Sequence, residues 1–145
     1  MSLFSLLSVN ASGMAAQRER AELLVENLAN AETTRTPEGG PYRRKDVVFE
    51  ARPVESPFAS VFEALTSPGV SGVGVREIVV DTREPEKRYL PGHPDADAQG
   101  YVAFPRMNPA EDMVDLMGAA SNYHANVAAM TAIKDMIQRS IDLLR

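Results

Sequence analysis

Apolar side chains recur at alternating intervals of four and three at both ends of the chain and lose that period in between. At the N-terminal end Leu3, Leu7, Asn10, Met14, Gln17, Ala21, Leu24, Leu28 and Ala31 keep the spacing. Leu6, Val9, Gly13, Ala16 and Leu23 lie one column over. Such spacing collects side chains into one stripe of a helix, the pattern of helices that pack along their length. Asn10, Ser12 and Gly13 interrupt the seam and weaken the helix there. Thr36-Pro37 and Gly39-Gly40 stop it, so its end is expected between Asn30 and Thr34. The C-terminal seam runs through Met113, Leu116 or Met117, Ala120, Tyr123, Val127, Met130, Ile133, Ile137, Ile141 and Leu144. Asp112, Asp115, Asp135, Arg139 and Asp142 are expected on the other faces. Asn108-Pro109 supplies an N-cap and a first helical residue, with Glu111 and Asp112 in the first turn. The two helices are expected to reach roughly 45 and 55 Å.

The middle has a different period and a different composition. All ten prolines and seven of the nine glycines lie in residues 32–109. Proline costs about 3 kcal/mol inside a helix, so this partition separates helical ends from a module of strands and turns. Strands are expected over Tyr42–Ala51, Val73–Asp81, Arg88–Leu90 and Tyr101–Phe104. Ser56-Pro57 opens a candidate two-turn helix with Phe58, Val61, Phe62 and Leu65 on one face. The fold class is α+β: long terminal helices pairing as a coiled-coil-like core, with a small β-rich middle module of short strands and long loops. The boundaries are 1–34 for the first helix, 35–108 for the module with a flexible loop at 52–74, and 109–145 for the second helix.

Composition narrows the function by exclusion. Fifteen basic and twenty acidic residues leave a net charge of −5, which opposes phosphate-driven nucleic-acid binding. With no cysteine, disulfide scaffolds, thiolate metal sites and cysteine nucleophiles are excluded. No apolar run approaches the roughly 18–20 residues that span a bilayer. The start, Met1 to Val9, lacks the basic region of a signal peptide, the first basic residue being Arg18.

Candidate chemistry is sparse. His93, Asp95 and Asp97 fall within five residues and have the ligand types for a divalent cation or for acid–base work. The competing reading is a solvated turn whose carboxylates cap backbone donors. Gly69-Val-Ser-Gly72-Val-Gly74 is glycine-rich, but it precedes a strand where a phosphate loop should follow one. Arg43-Arg44-Lys45 reads as a solvated strand start, and His124 as a boundary residue of the helix seam. No catalytic, cofactor or metal site is assigned.

The seams are the largest signal. Alanine is dense on both, with six in residues 1–31 and seven in 110–145, and six of the seven methionines fall in the same segments. Small residues permit close helix approach and methionine packs adaptably. Two long seams joined by a 78-residue linker poor in apolar side chains argue against an ordinary hairpin core. The expectation is assembly, with terminal helices that find partners on neighbouring chains and are marginal in isolation.

Particular residues carry a resemblance. Asn27-Leu-Ala-Asn-Ala31, followed by Glu32-Thr-Thr34, resembles the NLANA signature of the axial proteins of the bacterial flagellum. Tyr123-His-Ala-Asn-Val127 resembles their SYxANV motif. Gly40-Pro-Tyr-Arg43, Val47-Val-Phe49, Leu90 to Asp97 and Gly100-Tyr-Val102 are similar to the proximal-rod branch of that family. The resemblance implies a non-enzymatic structural subunit of the basal-body rod, the drive shaft of motility. It would be exported by the flagellar type III apparatus and reside where the rod crosses the periplasm. Implied partners are other copies and rod subunits of the FlgB, FlgF and FliE types, with rings around the rod. No nucleic acid and no membrane span is implied. The assembly interface is expected to use Leu7, Met14, Leu24, Asn27, Leu28, Asn30, Met113, Tyr123, Ala125, Asn126, Val127, Met130, Ile137 and Ile141. A metal-assisted hydrolase built on His93, Asp95 and Asp97, and a free cytosolic coiled-coil adaptor, are the alternatives.

Overall fold

A computed structural model of the chain describes residues 3–53 and 71–143. The candidate helix at 56–65 lies outside the described residues. Helix α1 spans Leu3–Ala29 and helix α2 spans Pro109–Leu143. Strands β1 (Lys45–Pro53) and β2 (Ser71–Val80) form one antiparallel pair, and β3 (Glu86–Tyr89) and β4 (Tyr101–Phe104) form another. The fold is therefore α+β, as the period change predicts.

Several boundaries differ from the expectation: β1 begins at Lys45, β3 runs Glu86–Tyr89, and both the first hairpin and the end of α1 shift. Residues 52–53 and 71–74, assigned to a flexible loop, continue the first hairpin, with Arg52 opposite Gly72 and Pro53 opposite Ser71. Glycine explains part of this: a Cβ on Gly74 would lie 2.6 Å from the Arg52 side chain, which crosses there to the Val75 carbonyl. Helix α1 ends at Ala29 because Asn30 turns the chain. Its Nδ2 donates to the Glu26 carbonyl at 2.9 Å, and its Oδ1 accepts from Thr33 Oγ1. Asn108 caps α2 as expected, its Oδ1 accepting from the Ala110 N–H at 3.2 Å.

The helices pair with each other inside one chain, as the fold class expects, although the long linker argues against an ordinary hairpin core. Gly13 faces Asn126 and Arg20 faces Asp115, so the two run antiparallel. The linker allows this because it is two folded hairpins whose ends return to one place. Arg44, just ahead of β1, donates from Nε and Nη2 to Oδ1 of Asp112 in the first turn of α2, at 3.0 and 2.8 Å. Asp112 is 1% exposed, so the expectation that it sits on an outer face is corrected. A carboxylate buried to this degree is tolerated because a guanidinium pairs with it and the helix N-terminus favours negative charge.

Asn27 joins the helical and sheet halves. It is 0% exposed, and its Nδ2 donates to the Lys45 carbonyl at 2.8 Å. Its Oδ1 accepts from the Lys45 N–H and from the Tyr42 hydroxyl, each at 3.0 Å. The amide thus substitutes for a strand partner at the first residue of β1. Around it, Leu23, Leu24 and Tyr42 are buried, and Lys45 reaches Glu26. The second hairpin has a smaller core, Val102 and Phe104, covered by Arg88 over the Phe104 ring.

Asn27→Ala is expected to cost about 3 kcal/mol, since it strands a buried N–H, a carbonyl and a hydroxyl together. Urea unfolding of the purified chain measures it. Burial, then the charges of Glu26 and Asp112, push the Tyr42 hydroxyl up to about 12. A phenol raised in this way stabilises the fold below the unfolded value near 10 and loses that contribution as pH rises towards 12. Stability should therefore fall more steeply between pH 10 and 12 in the native chain than in Tyr42→Phe, as followed by unfolding at each pH.

Candidate assembly interface

Along α2, Asp112, Leu116, Ala119, Tyr123, Asn126, Met130, Ile133 and Ile137 are buried or half-buried and keep strict 4-3 spacing. This is the column facing α1. The neighbouring column, Met113, Met117, Ala120, His124 and Val127, has the same spacing and is exposed. Met113 is 59% and Met117 71% exposed, and Val114, Met136, Ile141 and Leu143 lie open as well. The seam read from the sequence had merged the two columns. An offset of one residue turns a side chain by about 100°, enough to move it from a packed face to an open one.

Helix α1 behaves differently because it has partners on two sides. It packs along α2 and also against β1 and β2. Consequently both of its columns, Asn10–Met14–Gln17–Ala21–Leu24–Leu28 and Val9–Gly13–Ala16–Arg20–Leu23–Asn27, are buried or half-buried. Its exposed positions alternate alanine or valine with polar residues, Ala11, Ala15, Val25 and Ala29 against Ser8, Arg18, Glu19 and Glu22, and Arg18 pairs with Glu22 one turn apart.

Two of the residues expected to weaken α1, Ser12 and Gly13, are where other elements dock, while Asn10 donates back to the Leu6 carbonyl. Ser12 Oγ accepts from the Val73 N–H at 3.0 Å and donates to the Val9 carbonyl, fastening β2 to the helix. Gly13 leaves room for Asn126: a Cβ there would stand 3.1–3.3 Å from three atoms of that side chain. Asn126 in turn donates to the Asn122 carbonyl at 3.0 Å.

The fourteen candidate interface residues therefore separate. Leu24 and Asn27 are buried inside the chain, and Leu7, Met14, Leu28, Asn30, Tyr123, Asn126, Met130 and Ile137 are half-buried. Met113, Ala125, Val127 and Ile141 remain exposed. Val114, Met117, Met136 and Leu143 are open as well, and of these four only Met117 is on the seam read from the sequence.

The metal candidate is not brought together as a ligand cluster. Asp97 Oδ1 accepts from the N–H groups of Gln99 and Tyr101, each at 2.9 Å. His93 Nδ1 accepts from the Asp95 N–H, and Asp95 Oδ2 accepts from Thr34 Oγ1 at 2.8 Å. Among the described residues no group of three or more acidic or histidine side chains is placed to hold a metal ion. The turn instead pins the second hairpin to the segment that follows α1. Arg44 turns inwards to Asp112, away from the solvated role expected of it, whereas Arg43 stays exposed as expected and reaches only the Asp81 backbone carbonyl. Gly72 and Gly74 lie within β2, and Gly69 lies outside the described residues. Among the described residues no helix is long and apolar enough to cross a membrane.

Comparison with known proteins follows the same outline. A family profile described as "Flagellar basal body rod FlgEFG protein C-terminal" matches residues 98–143. The flagellar basal-body rod protein FlgC of Borreliella burgdorferi is 36% identical, covering 100% of this chain and 99% of its own length. That of Bacillus subtilis is 37% identical, with 99% of each chain covered. That of Salmonella typhimurium is 35% identical, over 99% of this chain and 98% of its own.

The close approach of the helices yields a test. Gly13→Val should destabilise the chain by about 2 kcal/mol through overpacking against Asn126. Combining it with Asn126→Ala should recover most of that loss, a coupling read from a double-mutant unfolding cycle.

Proposed function

The chain belongs to the FlgC family of flagellar basal-body rod proteins, and from that premise we propose how it works as a structural subunit of the rod. The single observation that carries the reading is the open column of α2 through Met113, Met117, Ala120 and Val127. One chain supplies a two-helix unit, held by its inner columns, whose outer column is left to neighbours. Repeated around an axis, such units build a tube of helices, with the β-rich module on its outside. Torque then passes through packed side chains, which suits a shaft, and no catalytic residue is needed.

The neighbours in this reading are further copies and rod subunits of the FlgB, FlgF and FliE types, in the periplasm, after passage through the flagellar type III export apparatus. Apolar burial supplies the driving force: a methionine taken from exposed to buried contributes about 1.5–3 kcal/mol. The 27-residue and 35-residue helices differ in length, so α2 extends past the start of α1 by roughly two turns. Leu143, 88% exposed, lies on that extension and is a further contact for a neighbour.

The fold decides which substitution tests assembly. Leu24→Asp acts inside the chain and would unfold it, whereas Met117→Asp leaves the hairpin intact. Met117→Asp should change unfolding free energy by less than about 0.5 kcal/mol, the usual limit for an exposed site. It should nevertheless abolish swimming and reduce completed rods by about tenfold or more, the equivalent of one lost methionine contact. Normal motility with Met117→Asp would overturn the assignment of the outer column.

A further inference from the structure

We propose that an arginine-lined cleft on the β-rich module receives a carboxylate from an adjacent rod subunit, a second contact separate from the helix column. The inference rests on the rod-subunit reading and adds the chemistry of one partner surface to it. Tyr42, Arg43, Arg44, Asp81, Arg83, Pro85 and Arg106 line a shallow open cleft. These seven residues come from three places in the sequence, the stretch before β1, the turn after β2 and the link from β4 to α2. Four of the seven are arginines in a chain whose net charge is −5.

Two of the guanidinium groups are already satisfied. Arg44 is shared between Asp112 and Asp46, and Arg83 is chelated by both oxygens of Asp81. The other two are not. Arg43 reaches only the Asp81 backbone carbonyl, at 3.1 Å, and Arg106 acts on the Asp81 carboxylate only through its charge, with no hydrogen bond or salt bridge to it. Unpaired guanidinium donors held together in one cleft lower the energy of an incoming oxyanion and pair with it in a bidentate manner. Carboxylate is the chemistry indicated, because the same cleft already binds two carboxylates, those of Asp81 and Asp112, through its arginines. Charge complementarity supplies the source. Rod contacts join like or related chains, and on this one Glu19, Glu38, Glu84, Glu111 and Asp135 carry no ion pair among the described residues.

Photo-crosslinking in purified basal bodies tests the cleft without removing any arginine. A benzophenone amino acid replaces Pro85, which lines the cleft and donates nothing. The expected product joins this chain to a peptide of an adjacent rod subunit that contains Asp or Glu. Introducing Arg106→Glu should reduce the cross-link per incorporated chain by about tenfold, the scale of one charge-assisted pair, while Arg106→Lys retains most of it. An Arg106→Glu chain that folds normally yet is excluded from basal bodies gives the same support. A chain present in basal bodies with no cross-link, with a cross-link only to peptides lacking Asp and Glu, or with one indifferent to Arg106→Glu, overturns the cleft. Absence of the native chain from basal bodies overturns the rod-subunit reading itself, and the cleft with it.

Discussion

The amide of Asn27 is the joint on which the rest of the structure depends. A helix satisfies its own backbone, and so does a strand pair, but the first residue of an edge strand has donors and acceptors to place. Here one side chain from α1 takes both backbone groups of Lys45 and the Tyr42 hydroxyl. An asparagine is suited to this because it presents a donor and an acceptor from one planar group. Leucine would fill the space and leave three polar groups stranded; aspartate would place a charge against a carbonyl. Once β1 is held there, Arg44 lies beside the first turn of α2 and closes the circuit through Asp112. The helical hairpin thus has its far end fixed by polar contacts and its length held by apolar ones.

That division explains how one helix can serve two purposes. The inner column of α2 belongs to the fold and the outer column is free, separated by a single residue in sequence. Placing both on one helix means that a subunit can be folded before it meets a neighbour and still offer an apolar face. The cost is exposure of several methionines and valines on the separate chain. Methionine suits such a face, since its flexible chain adapts to differently shaped surfaces. The β-rich module adds charge to this apolar geometry, through arginines whose partners are only partly supplied from within.

Much of the architecture was legible before the structure. The confinement of proline to the middle separated helices from strands, and Asn108-Pro109 marked the start of α2 because its cap chemistry is local. The first hairpin is legible from its β-branched runs, Val47-Val48 and Ile78-Val79-Val80, although it extends further than its glycines suggest. What could not be read depended on contacts distant in sequence. Two adjacent apolar columns look like one wide stripe until a partner covers one of them. Ser12 and Gly13 looked like flaws in a helix because their value lies in Val73 and Asn126, more than sixty residues away. Asp112 looked like a solvent-facing first-turn acid for the same reason, its partner Arg44 being 68 positions earlier. The acidic turn around His93 was open to two readings, and hydrogen bonding to its own backbone favours the structural one.

The central claim is that α1 and α2 fold against each other within a single chain, held by Asn27, before any assembly. Hydrogen exchange on the monomeric chain, resolved by peptide and compared with Asn27→Ala, addresses it directly. Amides over residues 14–28 of α1 and 116–130 of α2 should be protected together and lose protection together in the variant. Exchange of both segments at unfolded-chain rates in the native monomer would contradict it, and would mean that the helices form only against neighbouring subunits.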